Sequence, residues 1–232
     1  MTMRQRYYLD RRQLVAGLVH DIALVLSLAI EKNGRASLIV SGGSTPKPLF
    51  DRLSELDIDW QKVVITLVDE RWVEPDSPGS NERLVRRHLL KNRAGSAVFI
   101  GLKNAAPTAA AGQKECERVL QQVPRPFDLV ILGMGNDGHT ASLFPGFSRL
   151  AEAVAMDSGN ICLPVSPPAA SHERMTLTLP VILAGRQIFL HIVGPKKKEA
   201  LAAALAEGTA AEMPIRYILR QSQVPVTVFW AP

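Results

Sequence analysis

Cysteine and long apolar segments are both scarce in this sequence. Its two cysteines, Cys116 and Cys162, form no C-x-x-C pair and are too few for a disulfide framework. No apolar signal core stands near the start. The longest apolar stretch, residues 14–30, is interrupted by His20-Asp21 and is too short to span a bilayer comfortably. These features predict a cytoplasmic protein without a membrane partner.

A strong excess of basic residues is also missing. Lys and Arg number 27 against 22 Asp and Glu, a net charge of +5, and the basic residues lie in short clusters such as Lys196-Lys197-Lys198. There is no basic stripe interleaved with aromatics, no zinc-finger spacing and no clear helix-turn-helix element. A small anionic substrate explains the charge as well as DNA would, so we predict no nucleic-acid partner.

What the chain does contain is an alternation of short apolar runs and helical patterns over its 232 residues. Strands are predicted at residues 36–40, 63–68, 97–100, 127–132, 161–165, 188–193 and 226–230. Helices are predicted at 14–30, 46–56, 84–89, 109–120, 177–184 and 198–206. Continuous apolar strands separated by helices favour a mostly parallel sheet covered on both faces. We therefore predict one α/β domain over residues 1–232, with an open, Rossmann-like sheet.

Three polar or glycine-rich segments follow predicted strands, after Val40, Val68 and Leu132. They lie far apart in the sequence. The carboxyl ends of parallel strands nevertheless meet at one edge of a sheet, and ligands of open α/β folds bind there. We therefore expect the three segments to form one site.

The first of these segments, Ser41-Gly-Gly-Ser-Thr-Pro46, links a predicted strand to a predicted helix. Gly42 and Gly43 let the backbone approach a ligand closely, and the free N–H groups of a helix start favour phosphate. Ser44 and Thr45 add hydroxyl groups. The segment lacks both the P-loop ending and the dinucleotide-binding spacing. A tight strand-to-helix turn with a serine cap explains it equally well.

The second segment is the charged triplet Asp69-Glu70-Arg71. Two carboxylates beside an arginine could serve as an acid–base pair with an anion clamp. A solvated salt bridge in a loop is the commoner outcome for such a triplet. Taken alone, the triplet favours the solvated loop.

The third segment, Gly133-Met-Gly-Asn-Asp-Gly-His139, is the most informative part of the chain. Its glycines leave few side chains, yet it presents Asp137 and His139. The i, i+2 spacing would let Asp137 orient the imidazole or help to hold water, and histidine suits a base near neutral pH. The alternative is that Asp137 caps a short helix while His139 packs at its first turn. The position at a strand end favours a functional role.

Two further candidates are cationic. Arg174 and the run Lys196-Lys197-Lys198 could each bind phosphate. The lysines open a predicted helix, where positive charge opposes the helix dipole and suggests a nearby anion, although solvated surface lysines are the default. His172-Glu173 has no second histidine at the spacing of an H-E-x-x-H site, and we predict no metal site.

Together, these segments resemble the 6-phosphogluconolactonase family, a branch of the glucosamine-6-phosphate deaminase/isomerase superfamily. The resemblance covers most of the chain, and its long central motif is highly specific. The matching motifs are, in order, Ser41-Gly-Gly-Ser-Thr-Pro46, Asp69-Glu-Arg-Trp72 with Ser80-Asn81 downstream, Leu132-Gly-Met-Gly-Asn-Asp-Gly-His-Thr-Ala-Ser-Leu-Phe-Pro145, Arg174-Met-Thr-Leu-Thr178 and Gly194-Pro-Lys-Lys197.

The resemblance implies hydrolysis of 6-phospho-D-glucono-1,5-lactone to 6-phosphogluconate, the second step of the oxidative pentose phosphate pathway, without a metal or organic cofactor. It implies that His139 is the general base that deprotonates the attacking water, with Asp137 supporting it. Arg71 would face the substrate anion or the phosphate, and Asp69 would also lie at the substrate. The groups that would hold the phosphate are Gly42, Gly43, Ser44, Arg174 and Lys197. The oxyanion could be stabilised either by backbone N–H groups of the glycine loop or by Arg71.

Two other functions compete with this one. The deaminase/isomerase branch resembles the same motif but has a glutamate five residues after the histidine, where this chain has Phe144; an apolar ring cannot shuttle a proton for sugar-ring opening. A non-catalytic phosphosugar-binding domain of a repressor would need an attached DNA-binding helix pair, whereas the 35 residues before the first predicted strand hold one long helix. The sequence leaves the oligomeric state open, with a monomer as the expectation.

Overall fold

The computed structural model describes residues 3–167 and 172–232. The helices in these ranges are α1 (Arg11–Asn33), α2 (Lys47–Leu53), α3 (Asn81–His88), α4 (Ala109–Leu120), α5 (Leu150–Val154), α6 (Leu179–Leu183), α7 (Pro195–Leu205) and α8 (Ile215–Leu219). The strands are β1 (Arg4–Tyr7), β2 (Ala36–Val40), β3 (Val63–Leu67), β4 (Asp69–Arg71), β5 (Val98–Ile100), β6 (Leu129–Leu132), β7 (Cys162–Val165), β8 (Arg174–Leu177), β9 (Ile188–Val193) and β10 (Val226–Ala231).

Seven of these strands form one sheet in the order β1-β10-β9-β6-β2-β3-β5, and every neighbouring pair is parallel. All residues of β2 and β6 are buried, so helices cover both faces of the sheet centre. Strands covered on both faces have no exposed side for polar residues, which explains their continuous apolar sequences. The predicted α/β fold with a mostly parallel sheet is confirmed.

The long first helix is fixed by its ends and by its apolar stripe. The Asp10 side chain accepts a hydrogen bond from the Gln13 backbone N–H at 2.8 Å, and Gly34 ends the helix with a left-handed φ of 72°. By length and composition α1 could cross a membrane. It packs against β2 and β10 instead, so the predicted core-facing helix is confirmed. The buried residues form an apolar stripe at helical spacing: Leu14, Leu18, Ile22, Leu26 and Ala29.

The structure contains two features that the apolar pattern does not predict. Strand β1 lies before α1 and pairs with β10 at the sheet edge, although all four of its residues are exposed. A second, antiparallel sheet has the order β4-β8-β7, whereas the sequence predicts a loop at residues 69–71 and no strand at 174–177. Strands of three or four residues are too short to show a period, and partner strands supply their pairing.

The order in which the chain adds strands to the main sheet reverses between the parallel neighbours β2 and β6. From β2 the chain continues to β3 and β5 on one side, and from β6 it continues to β9 and β10 on the other. The loops that leave β2 and β6 at their carboxyl ends therefore diverge. Divergence at such a switch point opens a crevice suited to a ligand.

Candidate active site

A cleft of about 290 Å³ occupies this crevice, at the carboxyl ends of the neighbouring strands β9, β6, β2 and β3. Eight of the nine residues predicted to form the site line it. They are Gly42, Gly43, Ser44, Asp69, Arg71, His139, Arg174 and Lys197. The ninth, Asp137, lies beside His139 and forms a hydrogen bond with its ring. The polar segments that follow separate strands thus meet at one place.

The glycine loop after β2 is tied to the loop after β6 by Ser41. Its hydroxyl donates to the Ile131 carbonyl at 3.0 Å and accepts from the Gly133 N–H at 3.2 Å. Gly43 has a φ of +96°, which favours glycine. The helix that follows is capped by Pro46 with no side-chain hydrogen bond, so the serine cap is absent. Ser44 instead lines the cleft.

The pair formed by His139 and Asp137 has the geometry of a base and its orienting carboxylate. Asp137 Oδ1 lies 2.6 Å from His139 Nδ1 and also accepts from the His139 backbone N–H at 3.1 Å. Burial opposes ionisation of Asp137, but the N–H and ring of His139 outweigh it and lower the pKa of Asp137. An ionised Asp137 accepts a hydrogen bond from Nδ1–H, which leaves Nε2 as the free acceptor.

The loop that carries this pair depends on glycine. The Gly135 N–H donates to the His139 carbonyl at 2.8 Å, and a Cβ at Gly135 would lie 2.1 Å from His139 Nδ1. Gly138 has a φ of +78°. Residues 133–146 form turns and no helix, so the alternative in which Asp137 caps a helix is not observed.

Phe144 covers one side of the imidazole. Its ring centroid lies 4.5 Å from that of His139, and the Arg174 guanidinium lies 5.1 Å from the same Phe144 ring. The ring restricts the imidazole by packing and contributes no acid or base. His139 therefore has one carboxylate partner in the described structure, Asp137.

Two arginines face each other across the second sheet. Arg71 pairs with Arg174 in the β4–β8 register, and like charges in opposed positions repel. Asp69 Oδ2 lies 3.7 Å from an Arg174 Nη1 and accepts from the Ser142 hydroxyl at 2.5 Å. The Nε atoms of both arginines are buried without a hydrogen-bond partner among the described residues. Among the described residues, Asp69 forms an ion pair with Arg174 only, and Arg71 Nη1 donates to the neutral Gly79 carbonyl at 2.6 Å, so positive charge is left for an anion.

The solvated salt bridge considered for the charged triplet does not occur. Residues 69–71 form a strand, and both Asp69 and Glu70 are buried. Burial lowers the pKa of Arg174, and the charge of Asp69 opposes that shift. The triplet is therefore part of the cleft wall.

The lysine run divides between two surroundings. Lys197 lines the cleft, whereas the Lys198 ammonium lies 4.6 Å from the Trp230 ring and Lys196 is exposed. Burial lowers the pKa of Lys197, and the charge of Asp137 opposes that shift. The run thus places one cation at the cleft, on the side of His139.

Three further residues line the cleft: Asn81, Thr140 and His191. The Ser80-Asn81 motif does not by itself indicate a role for Asn81, and Thr140 donates from its hydroxyl to the Gly133 carbonyl at 2.9 Å. His191 lies inside the apolar strand β9, where the sequence offers no signal. Its ring is buried, and burial lowers its pKa to about 4. In the described ranges, no three His, Cys, Asp or Glu side chains are grouped to hold a metal ion.

Comparison with known proteins gives full-length matches. Residues 9–230 match the family described as glucosamine-6-phosphate isomerases/6-phosphogluconolactonase. A 6-phosphogluconolactonase of Rhizobium meliloti is 43% identical over 232 residues, 100% of each chain, and one of Mesorhizobium japonicum is 44% identical over 96% of this chain and 93% of its own. The crystal structure of a 6-phosphogluconolactonase from Shewanella baltica has a TM-score of 0.97 at 47% identity, covering 99% of this chain and 98% of that one.

Proposed function

The chain belongs to the family of glucosamine-6-phosphate isomerases and 6-phosphogluconolactonases. We propose that it hydrolyses 6-phosphogluconolactone with His139 as the general base. The overall reaction is hydrolysis of 6-phosphogluconolactone, a step of the pentose phosphate pathway. The observation that carries the proposal is the 2.6 Å contact between His139 Nδ1 and Asp137 Oδ1 at the wall of a cleft lined by cationic side chains.

The proposed reaction begins with a water molecule beside His139 Nε2. As the water oxygen attacks the lactone carbonyl carbon, Nε2 takes its proton, and Asp137 stabilises the imidazolium that forms. The tetrahedral intermediate then collapses with cleavage of the ring C–O bond, and the imidazolium returns the proton to the leaving ring oxygen. One water is consumed and one acid is formed.

The cationic residues of the cleft would bind the phosphate, away from the reacting carbonyl. The N–H groups of the loop from Gly42 to Ser44 supply donors, and Arg174 and Lys197 supply charge from the two sides. Arg71, opposite Arg174, would contribute to the same anion site, with Asp69 beside it. Holding both ends of the substrate brings the carbonyl to the base, and positioning of this kind lowers the barrier substantially.

Ring opening of an amino sugar is disfavoured by Phe144. That chemistry needs a second acid–base group next to the histidine, and the phenyl ring at 4.5 Å occupies its place. We also propose a cytoplasmic location, because α1, the only helix of the described residues long and apolar enough for a membrane, packs onto the sheet.

A side-by-side assay tests the function. Freshly made 6-phosphogluconolactone and glucosamine 6-phosphate are given to the same enzyme, and acid release and ammonia release are measured against buffer. We expect acid release well above the spontaneous rate and no ammonia. A lactone rate equal to the buffer blank would overturn the assignment, and ammonia release alone would favour the deaminase branch.

A further inference from the structure

Glu70 is a buried carboxylate for which the proposed reaction has no use. Side chains alternate along a strand, so Asp69 and Arg71 face the cleft while Glu70 points to the other side of β4. It is fully buried. No Lys, Arg or His of the described ranges forms an ion pair with it.

The hydrogen bonds of Glu70 come from neutral groups at the start of α3. Its Oε1 accepts from the backbone N–H of Asn81 at 2.8 Å, and its Oε2 accepts from the N–H of Glu82 at 2.7 Å and the Ser80 hydroxyl at 2.9 Å. Oε1 also accepts from the Arg71 N–H at 2.7 Å. Glu70 thereby connects the start of α3 to β4, the strand that contains Arg71, through hydrogen bonds.

Asn81 extends this connection to the glycine loop. Its Nδ2 donates to the Asp69 carbonyl at 2.9 Å. Its Oδ1 lies against Gly42, where a Cβ would be only 1.9 Å away. Asn81 therefore spans the space between β4 and the loop after β2, and both of these segments line the cleft.

We propose that Glu70 is a positioning residue for the lactone site and acts through Asn81. By holding Asn81 and the Arg71 main chain, it fixes the glycine loop relative to Asp69 and Arg71. A buried carboxylate bonded only to neutral donors carries a desolvation cost that an apolar side chain would avoid. A positional role explains why a carboxylate stands there. The inference rests on the proposed function, because the site it positions is the lactone site.

The variant Glu70→Gln tests this role with little change in volume. Its amide NH₂ group would face N–H donors, so part of the attachment of Asn81 is lost. We expect the KM for the lactone to rise about tenfold with kcat within about threefold, because the affected groups bind substrate away from the reacting carbonyl. The Kd of 6-phosphogluconate, measured by calorimetry, should rise by a similar factor.

Asp128→Asn is the control for the loss of a buried carboxylate away from the cleft. Asp128 accepts from the Ser37 N–H at 2.9 Å and the Ser37 hydroxyl at 3.1 Å, and it also forms an ion pair with Arg186 at 3.3 Å. It lies just before β6, at the sheet edge opposite the cleft. We expect both variants to lower the Tm, but only Glu70→Gln to change KM. Equal KM values for Glu70→Gln and the wild type, with a lowered Tm, would show a purely structural role.

A double-mutant cycle tests the route through Asn81. If Glu70 acts through Asn81, the Glu70→Gln/Asn81→Ala protein should bind 6-phosphogluconate no more weakly than the worse single variant; additive losses would overturn the route. If Glu70→Gln does not fold, Glu70→Asp withdraws the carboxylate by one methylene from the Asn81 N–H, and an unchanged KM there would overturn the proposal. A wild type without lactonase activity would instead overturn the proposed function itself.

Discussion

At the scale of single residues, the chemistry depends on which nitrogen of His139 is free. The 2.6 Å contact fixes Nδ1 toward Asp137, and the lowered pKa of Asp137 keeps that carboxylate ionised at neutral pH. The His139 side chain is about one-third exposed and lines the cleft, so we expect water to enter beside it. The proposed base is thus oriented without being enclosed.

Replacing His139 with alanine should lower kcat at least about 100-fold, because a positioned general base contributes roughly 10²–10⁴ in rate. Acid release from fresh lactone, corrected for the spontaneous rate, measures the effect. His20→Ala, at an exposed position of α1, is the control and should keep the wild-type rate. A near-wild-type kcat for His139→Ala would exclude the base role.

Lys197→Ala should raise KM about tenfold or more while kcat changes little, because it removes a charged contact to the phosphate. Arg174→Ala should act in the same direction. Initial rates over a range of lactone concentrations separate the two constants. Lys196→Ala removes a neighbouring exposed lysine and should leave KM unchanged; equal effects of Lys196→Ala and Lys197→Ala would contradict the phosphate assignment.

His191 should make the fold sensitive to acid. Its pKa falls from 6.5 to about 4 in the folded chain, so between these values the unfolded chain binds more protons and the free energy of unfolding decreases as the pH falls. A shift of this size corresponds to about 3 kcal/mol, fully present above pH 6.5 and lost by pH 4. Urea unfolding from pH 7 to pH 4 measures it. His191→Leu should have a shallower pH dependence, and identical slopes would refute the attribution.

At the scale of elements, the strands that build the cleft were predictable and the small sheet beside it was not. β2, β3, β6 and β9 are buried on both faces, so their apolar runs and the polar segments after them identify the site edge. β4 and β8 have three and four residues, and their pairing is set by contacts between residues about 100 positions apart. The residues of the glycine loop, Asp69 and His139 could therefore be predicted from sequence, whereas the roles inferred for Glu70 and Asn81 required the fold.

The loop between β6 and α5 should tolerate no side chain at Gly135. A methyl group there would lie 2.1 Å from His139 Nδ1, so Gly135→Ala should displace the imidazole and lower kcat about as much as His139→Ala. Gly95→Ala is the control, because its Cβ would meet only the Leu90 carbonyl at 3.8 Å. The lactone assay and a Tm measurement separate lost activity from lost folding. A folded Gly135→Ala protein with full kcat would show that the imidazole position is not critical.

At the scale of the whole molecule, the site is assembled from the two halves of the main sheet that meet between β2 and β6. The glycine loop, Asp69 and Arg71 come from the side that holds β2 and β3, and His139 and Lys197 come from the side that holds β6 and β9. Arg174 crosses between them, because β8 belongs to the later part of the chain yet pairs with β4. The core that joins the two sides, through β2 and β6, is fully buried.

The reversal between β2 and β6 also divides the chemistry along the chain. The proposed site residues that precede the end of α4 in the sequence all bind the substrate. The proposed base, His139, lies in the loop that follows β6. A cut in the exposed connection around Gln121 and Gln122 would leave one fragment with the glycine loop and Arg71, and another with His139. We expect neither fragment alone to hydrolyse the lactone, because each lacks groups that the proposed reaction needs.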